Sequence, residues 1–259
     1  MRKGAVLLGL LVLAGSCKKD EAPTGPHLVF DEDALTLSLM DGSEVVLVFP
    51  ADGLQLGLVD DRSDAFSYDP LYQDATARYR APRGATLLDD APTAPSVALD
   101  YGDGLSARLD ATSTREGSFA LTLVPITADK VGYVRLRATV DPDEGFYGLG
   151  ETFDRPEHRG TQRPMQFAPD PGIESGYNEA HVPIPLVVGT SGWGLFVASY
   201  RPMVVDVATE ADDVLQIDVG TGPASADGLT FHLYVEDHPL DITRHYYRDT
   251  AFPVLPAPW

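Results

Sequence analysis

Short runs in which every second residue is apolar set the strongest limit on how this chain can fold. Phe119, Leu121 and Leu123 alternate with Ala120, Thr122 and Val124, and Val134 and Leu136 alternate with Arg135 and Arg137. A side-chain period of two belongs to a strand with one face buried, and antiparallel sheets are the ones that keep a wet face. Similar runs occupy 35–40, 44–49, 97–101, 105–111, 133–140, 184–188, 195–199, 203–208, 214–219 and 229–235. Turn signals separate them: Asp41-Gly42, Gly102-Asp103-Gly104, and the stretch from Gly189 to Gly194. Only the tail has helical character, with Pro239, an N-cap region at Asp241, then Ile242, His245, Tyr246 and Asp249 up to Ala251. Three prolines within 252–259 exclude regular helix there. The expectation is an all-β fold, a large antiparallel β-sandwich of about a dozen strands with one C-terminal helix. Residues 60–95 read as irregular with one short strand, and 151–182 as a long loop holding Pro156, Pro164, Pro169 and Pro171. Loops of that length are usually functional or misread.

The amino terminus reads as export machinery rather than fold. Arg2 and Lys3 precede an apolar stretch from Ala5 to Leu13, too short for a membrane span of about 20 residues. Ala14-Gly15-Ser16 then leads to Cys17, the single cysteine of the chain. This resembles the bacterial lipoprotein signal, in which the cysteine is acylated after cleavage. The expected organisation is a signal peptide at 1–16, lipidation at Cys17 and a tether at 17–26. The sandwich follows at 27–237, then a helix and linker at 238–259. The resemblance implies a bacterial cell envelope location, and Lys18 after the cysteine implies the outer membrane. The mature chain has no disulfide, so its stability must come from core burial. A formal net charge of −20 argues against nucleic acid or anionic lipid as partner. Membrane contact is therefore expected through the anchor alone. A neutral sugar is indifferent to such a field, and an acidic surface also simply keeps an exported protein soluble.

Most motifs with chemistry fail on inspection. The six histidines form no HExxH and none pairs with a cysteine, so neither a metal site nor a cofactor is expected. Gly148-Leu149-Gly150 lacks the third glycine of a dinucleotide fingerprint. Gly189-Thr190-Ser191-Gly192-Trp193 misses the nucleophile elbow by one residue and reads better as a hairpin turn. The acidic pairs Asp60-Asp61, Asp89-Asp90 and Asp212-Asp213, and Asp141 with Asp143 and Glu144, lie where Asp serves its own turn.

One ordered set of motifs is informative. Phe146-Tyr147-Gly148-Leu149-Gly150-Glu151-Thr152-Phe153-Asp154, then Arg159-Gly160, resembles a motif near the end of the amino-terminal domain of glycoside hydrolase family 31. Downstream, in family order, come Phe167-Ala168-Pro169-Asp170, the hairpin from Val182 to Val197, and the closing Phe252-Pro253 to Pro258-Trp259. The resemblance covers about residues 130–259; residues 27–130 match only in strand character. It implies a galactose-mutarotase-like sandwich packed on a (β/α)8 barrel in a retaining α-glycosidase that acts on oligosaccharides. Retention uses two carboxyl groups about 5–5.5 Å apart, and in this family both lie on the barrel, which would begin where residue 259 stands. No catalytic residue is therefore assigned here, and the chain alone is expected to be inactive. By the same resemblance the loop at 151–182 helps shape the sugar pocket. Phe153, Asp154, Arg163, Asp170 and Tyr177 are its candidate sugar contacts by residue type. Ala168 and Pro169 replace the usual Asn and Arg before Asp170, which puts the usual leaving-group contacts in doubt. Gly148 and Gly150 are expected to serve a tight turn, Trp193 and Phe196 the core, and Tyr246 and Tyr247 the docking of the helix. A free-standing sugar-binding or adhesive surface lipoprotein is the competing reading.

Overall fold

The computed structural model describes residues 23–60, 77–126, 129–152, 154–165, 182–221 and 228–252. The signal, Cys17 and most of the tether lie outside these residues, as do 166–181 and the tail from residue 253. Two antiparallel sheets face each other. The first takes β1 (Pro26–Asp31), β2 (Thr36–Asp41), β3 (Glu44–Phe49), β4 (Leu54–Leu58) and β5 (Arg78–Arg80) from the amino-terminal third. The second takes β6 (Gly84–Asp89), β7 (Ser96–Gly102), β8 (Leu105–Arg115) and β9 (Ser118–Pro125). The chain then crosses back through β10 (Val131–Thr139), the central strand of the first sheet.

The remaining strands are shared between the two layers. β11 (Phe146–Gly148), β13 (Leu186–Gly189), β14 (Trp193–Val197) and β17 (Leu229–Val235) extend the second sheet in the order β11-β13-β14-β17-β9-β8-β7-β6. β12 (Thr161–Pro164), β15 (Met203–Val207) and β16 (Val214–Gly220) complete the first, in the order β1-β2-β3-β10-β16-β15-β12, with β4 also on β10 and β5 beyond it. One continuous core lies between the layers. Val134, Leu136 and Ala138 of β10 meet it from one side, and Phe231, Leu233 and Val235 of β17 from the other. All of these are buried, as the alternation in the sequence requires.

The two outer faces are handled differently. On the first sheet, the register aligns Gln162, Asp206, Gln216 and Arg137 across β12, β15, β16 and β10. A second row runs through Val204, Asp218, Arg135 and Gln55. Gln162 donates to Asp206 at 2.7 Å and Arg135 binds Asp218 through two nitrogens at 2.5 and 3.0 Å. Arg135 also lies 3.6 Å from the centre of the Tyr79 ring. Burial disfavours the charged guanidinium, but the Asp218 carboxylate outweighs that and holds the Arg135 pKa above its usual range. Cross-strand pairs of this kind stabilise a sheet face without apolar burial.

The second sheet is covered instead by α1 (Pro239–Asp249). His238 caps the helix by accepting from the Leu240 N–H, with proline in the first turn where a missing N–H costs nothing. Ile242 is buried against Leu186, Val188 and Tyr234. Under it lies Gly194, where any Cβ would collide with the Ile242 side chain. Asp249, the last helical residue, accepts from Tyr234 at 2.9 Å and pairs with Arg115 at 2.6 Å. The helix thus docks by one apolar knob and one buried carboxylate.

Several elements depart from the sequence expectation. Trp193 joins the core, but Phe196 points to the outer face, where it meets Tyr246 edge-on at 5.0 Å. Residues 60–95 contain two described strands, β5 and β6, and the expected loop at 151–182 contains β12. β1 and β4 are also additions; β4 is short, alternates Leu54, Leu56 and Leu58 with Gln55 and Gly57, and is buried along most of its length. Replacing Gly194 with alanine should lower stability by about 1–3 kcal/mol, the usual range for overpacking. Urea denaturation would measure it, and an unchanged midpoint would show that the helix does not rest there.

Candidate functional site

The segment after β11 carries the candidate sugar contacts, and its start is conformationally demanding. Gly148, Leu149 and Gly150 all have positive φ, at 104°, 58° and 85°. A Cβ on Gly148 would strike the Leu186 carbonyl, and one on Gly150 the Val182 carbonyl. Both positions therefore exclude every side chain, on conformation and on space. Leu149 bears the left-handed strain of a non-glycine residue. It is compensated by complete burial of its side chain and by an N–H bond to Leu186 O at 2.8 Å. Glu151 then bridges Val182, its N–H donating at 3.2 Å. The two ends of the long loop are thereby held side by side.

Inside that loop a compact polar cluster forms. Arg163, on β12, has no exposed side-chain surface. Its guanidinium binds both oxygens of Asp154 at 3.0 and 2.7 Å, and its Nε donates to His158 Nδ1 at 3.2 Å. That donation makes Nδ1 an acceptor, so the His158 proton sits on Nε2, which lies 3.1 Å from Gly148 O. Two sequence-distant parts of the motif are thus tied through one imidazole. Bidentate pairing of this kind is among the stronger polar contacts in proteins. Burial raises the Asp154 carboxyl, but the bonds from Arg163 outweigh it and leave the pKa below the ordinary carboxylate value. Burial pushes the His158 imidazole down, so the ring is neutral.

Arg159 anchors the same turn from outside. Its three guanidinium nitrogens donate to the carbonyls of Glu144, Asp212 and Asp141 at 2.9, 2.7 and 2.6 Å. Glu157 accepts from the N–H groups of Phe146 and Arg159 at 3.1 and 2.8 Å. Glu144 is buried and accepts from the Ser191 N–H at 2.8 Å, which fixes the hairpin turn between β13 and β14.

The structure thus brings together two of the expected contacts, Asp154 and Arg163, and assigns them to each other. Arg163, expected to meet sugar, is enclosed and serves to position Asp154. Asp154 keeps part of its surface exposed. Phe153, Asp170 and Tyr177 lie outside the described residues, as does Cys17. Sequence reasoning missed His158, Glu144 and Glu157. The only signal for His158 is its place four residues before Gln162 and five before Arg163 on a turn into an edge strand, which carries no chemistry by itself. Among the described residues no group of three His, Cys, Asp or Glu side chains is placed to hold a metal ion.

Comparison with known proteins bears on the whole of this region. The model of the glycosyl hydrolase 31 N-terminal galactose mutarotase-like domain matches residues 30–206. The chain belongs to that family. An α-xylosidase, XylQ, of Lactiplantibacillus pentosus is 26% identical over 130 residues, which is 50% of this chain and 16% of that protein. A family 31 sulfoquinovosidase from E. rectale superposes with a TM-score of 0.55 at 16% identity, over 83% of this chain and 33% of the other. At that identity the likeness shows a shared fold. A dextranase of Flavobacterium johnsoniae is more distant, with a TM-score of 0.41 and 14% identity over 88% of this chain and 28% of the other. The chain spans a third or less of the length of each of these proteins.

Two outcomes follow. Gly150→Ala should destabilise by about 1–3 kcal/mol, because strain and overpacking both oppose it; a neutral effect in thermal unfolding would refute the turn geometry. The second concerns acid. His158 and His232 both have pKa values lowered from 6.5 by burial. The unfolded chain therefore binds more protons, and stability is lost as pH falls below 6.5. The urea midpoint should drop between about pH 7.5 and about pH 5.5, and His158→Gln should reduce that drop. A wild-type midpoint flat across this window would contradict the neutral, enclosed imidazoles.

Proposed function

We propose that this chain is the non-catalytic amino-terminal domain of a retaining α-glycosidase acting on oligosaccharides. The domain supports a (β/α)8 catalytic barrel and shapes its sugar pocket with the loop between Glu151 and Val182. A lipid on Cys17 holds it at the cell envelope, on the outer membrane. The match to an amino-terminal domain over residues 30–206 carries this reading. Its similarity to an α-xylosidase and a sulfoquinovosidase is consistent with glycoside chemistry.

The acids of the sandwich support the non-catalytic part. A retaining glycosidase needs a carboxylate pair left free to react. Here Asp218 is engaged by Arg135 and Gln216, Asp206 by Gln162 and Thr209, Glu144 by the Ser191 N–H, and Asp249 by Arg115 and Tyr234. Each of these four carboxylates has a structural partner. The loop reading draws on Asp154, which is oriented by Arg163 and retains exposed surface.

The purified chain should show only background release from aryl α-glucosides and α-xylosides. Turnover that follows the protein through purification would overturn the assignment. In cells, Cys17→Ser should abolish radiolabelled palmitate incorporation and move the chain out of the membrane fraction; a membrane-bound, unlabelled variant would exclude the anchor.

A further inference from the structure

A groove of about 910 Å³ opens on the outer face of the second sheet, between α1 and the loops that flank β14. Its volume lies within the range of about 300–1,000 Å³ usual for small-molecule sites. Phe196 and His232 face each other across β14 and β17 and form the floor. Tyr246 and Tyr247 of the helix form one wall. The rings make a continuous run. His232 lies 5.6 Å from Phe196, Phe196 5.0 Å from Tyr246, and Tyr246 5.6 Å from Tyr247. The run ends at Phe252, 6.1 Å from Tyr247 and largely exposed.

The polar part of the groove is small and oriented. Asp249 stands behind His232, with Oδ2 3.4 Å from Nδ1. Nδ1 is buried and has no hydrogen-bond partner of its own. A proton on Nδ1, directed at the carboxylate, leaves Nε2 as a lone-pair acceptor on a ring that lines the groove. Asp249 is already matched by Arg115, so the site does not call for a cation. The chain's net charge of −20 disfavours an anion. What fits is a neutral molecule with a flat apolar face and hydroxyl groups at its edge.

We propose that this groove binds a pyranose ring of a neutral oligosaccharide, stacked on the Phe196–Tyr246–Tyr247 run with one hydroxyl donating to His232 Nε2. The choice of a sugar rests on the reading that the domain serves a glycoside-processing enzyme. The site itself is separate from Asp154 and does not need that residue. It would hold a second stretch of the same polymer, away from the bond being cut.

Saturation-transfer NMR and calorimetry on the full chain with maltotriose, isomaltotriose and xylobiose test this. The expected result is saturable binding to at least one of them, with transfer from tyrosine and phenylalanine ring protons. Tyr247→Ala should weaken it at least tenfold, and His232→Gln should weaken it too, while Val45→Thr, at an exposed position of β3, leaves it within about twofold. The wild-type ring-proton signals decide the matter even if a groove variant fails to fold. No saturable binding to any of the three sugars overturns the proposal. So does binding that Asp154→Asn abolishes and Tyr247→Ala spares, which would move the sugar to the loop. Tyr200 stands fully exposed at the groove rim; if no sugar binds and Tyr200→Ser instead changes self-association in sedimentation, the groove is a protein seat and the proposal fails. The absence of glycoside turnover is measured separately, so either reading can fall without the other.

Discussion

The carboxylate of Asp249 joins α1, the one helix among the described residues, to the sandwich. It lies at the helix carboxyl end, where the helix dipole disfavours negative charge, and it is nearly enclosed. It is tolerated because Arg115 and Tyr234 reach it from β8 and β17. Burial works against the charged form, yet these bonds hold its pKa below the usual carboxylate value. Tyr234 is in turn locked as a donor, its hydroxyl pushed far up by burial and by the same carboxylate. The orientation of the helix, the wall of the aromatic groove and the direction in which the chain leaves the sandwich all follow from this contact. Ile242 over Gly194 supplies apolar burial, but a knob in a hole leaves a helix free to pivot. The carboxylate removes that freedom.

The outer face of the first sheet meets the same need by other means. Its rows of Gln, Asp and Arg across β12, β15, β16 and β10 pair in part with one another: Gln162 donates to Asp206 and Arg135 to Asp218, while Arg137 turns to Asp52 and keeps a buried Nε without a partner. Buried polar side chains are as a rule bonded, and for Asp206 and Asp218 the register of neighbouring strands supplies the partners. The cost is that these acids are committed. The fold has carboxylates in quantity, but those inside it are structural.

Where alternation was regular, the strands could be read directly: β8, β9, β10, β16 and β17 lie where a period of two puts them. β4 was missed although Leu54, Leu56 and Leu58 alternate with Gln55 and Gly57, because five residues between Gly53 and the acidic pair at 60–61 make a short run. β12 was missed because Pro164 sits in it, and proline is admitted only where a strand has a free edge. As for the site, residue types pointed to Asp154 and Arg163, and the two glycines pointed to the turn. What sequence could not supply was direction. Arg163 looks like a surface residue beside a proline, and it is enclosed because His158 and Asp154 close over it. Asp249 and Arg115 are separated by most of the chain, and nothing local marks them as partners.

The bridge between Glu151 and Val182 has a consequence for how such domains diversify. It pins both ends of a thirty-residue excursion to a sheet edge, yet the excursion stays part of the fold, because β12 inside it pairs with β15 and Met165 joins the core. Closing a loop costs only about 0.6 kcal/mol more each time its length doubles. Closure is therefore not what limits length changes here: a residue added between Asp154 and Arg163 would shift β12 against β15 and draw Arg163 away from Asp154. The clasp holds the ends of the excursion together at little cost, while β12 inside it fixes where its length can change.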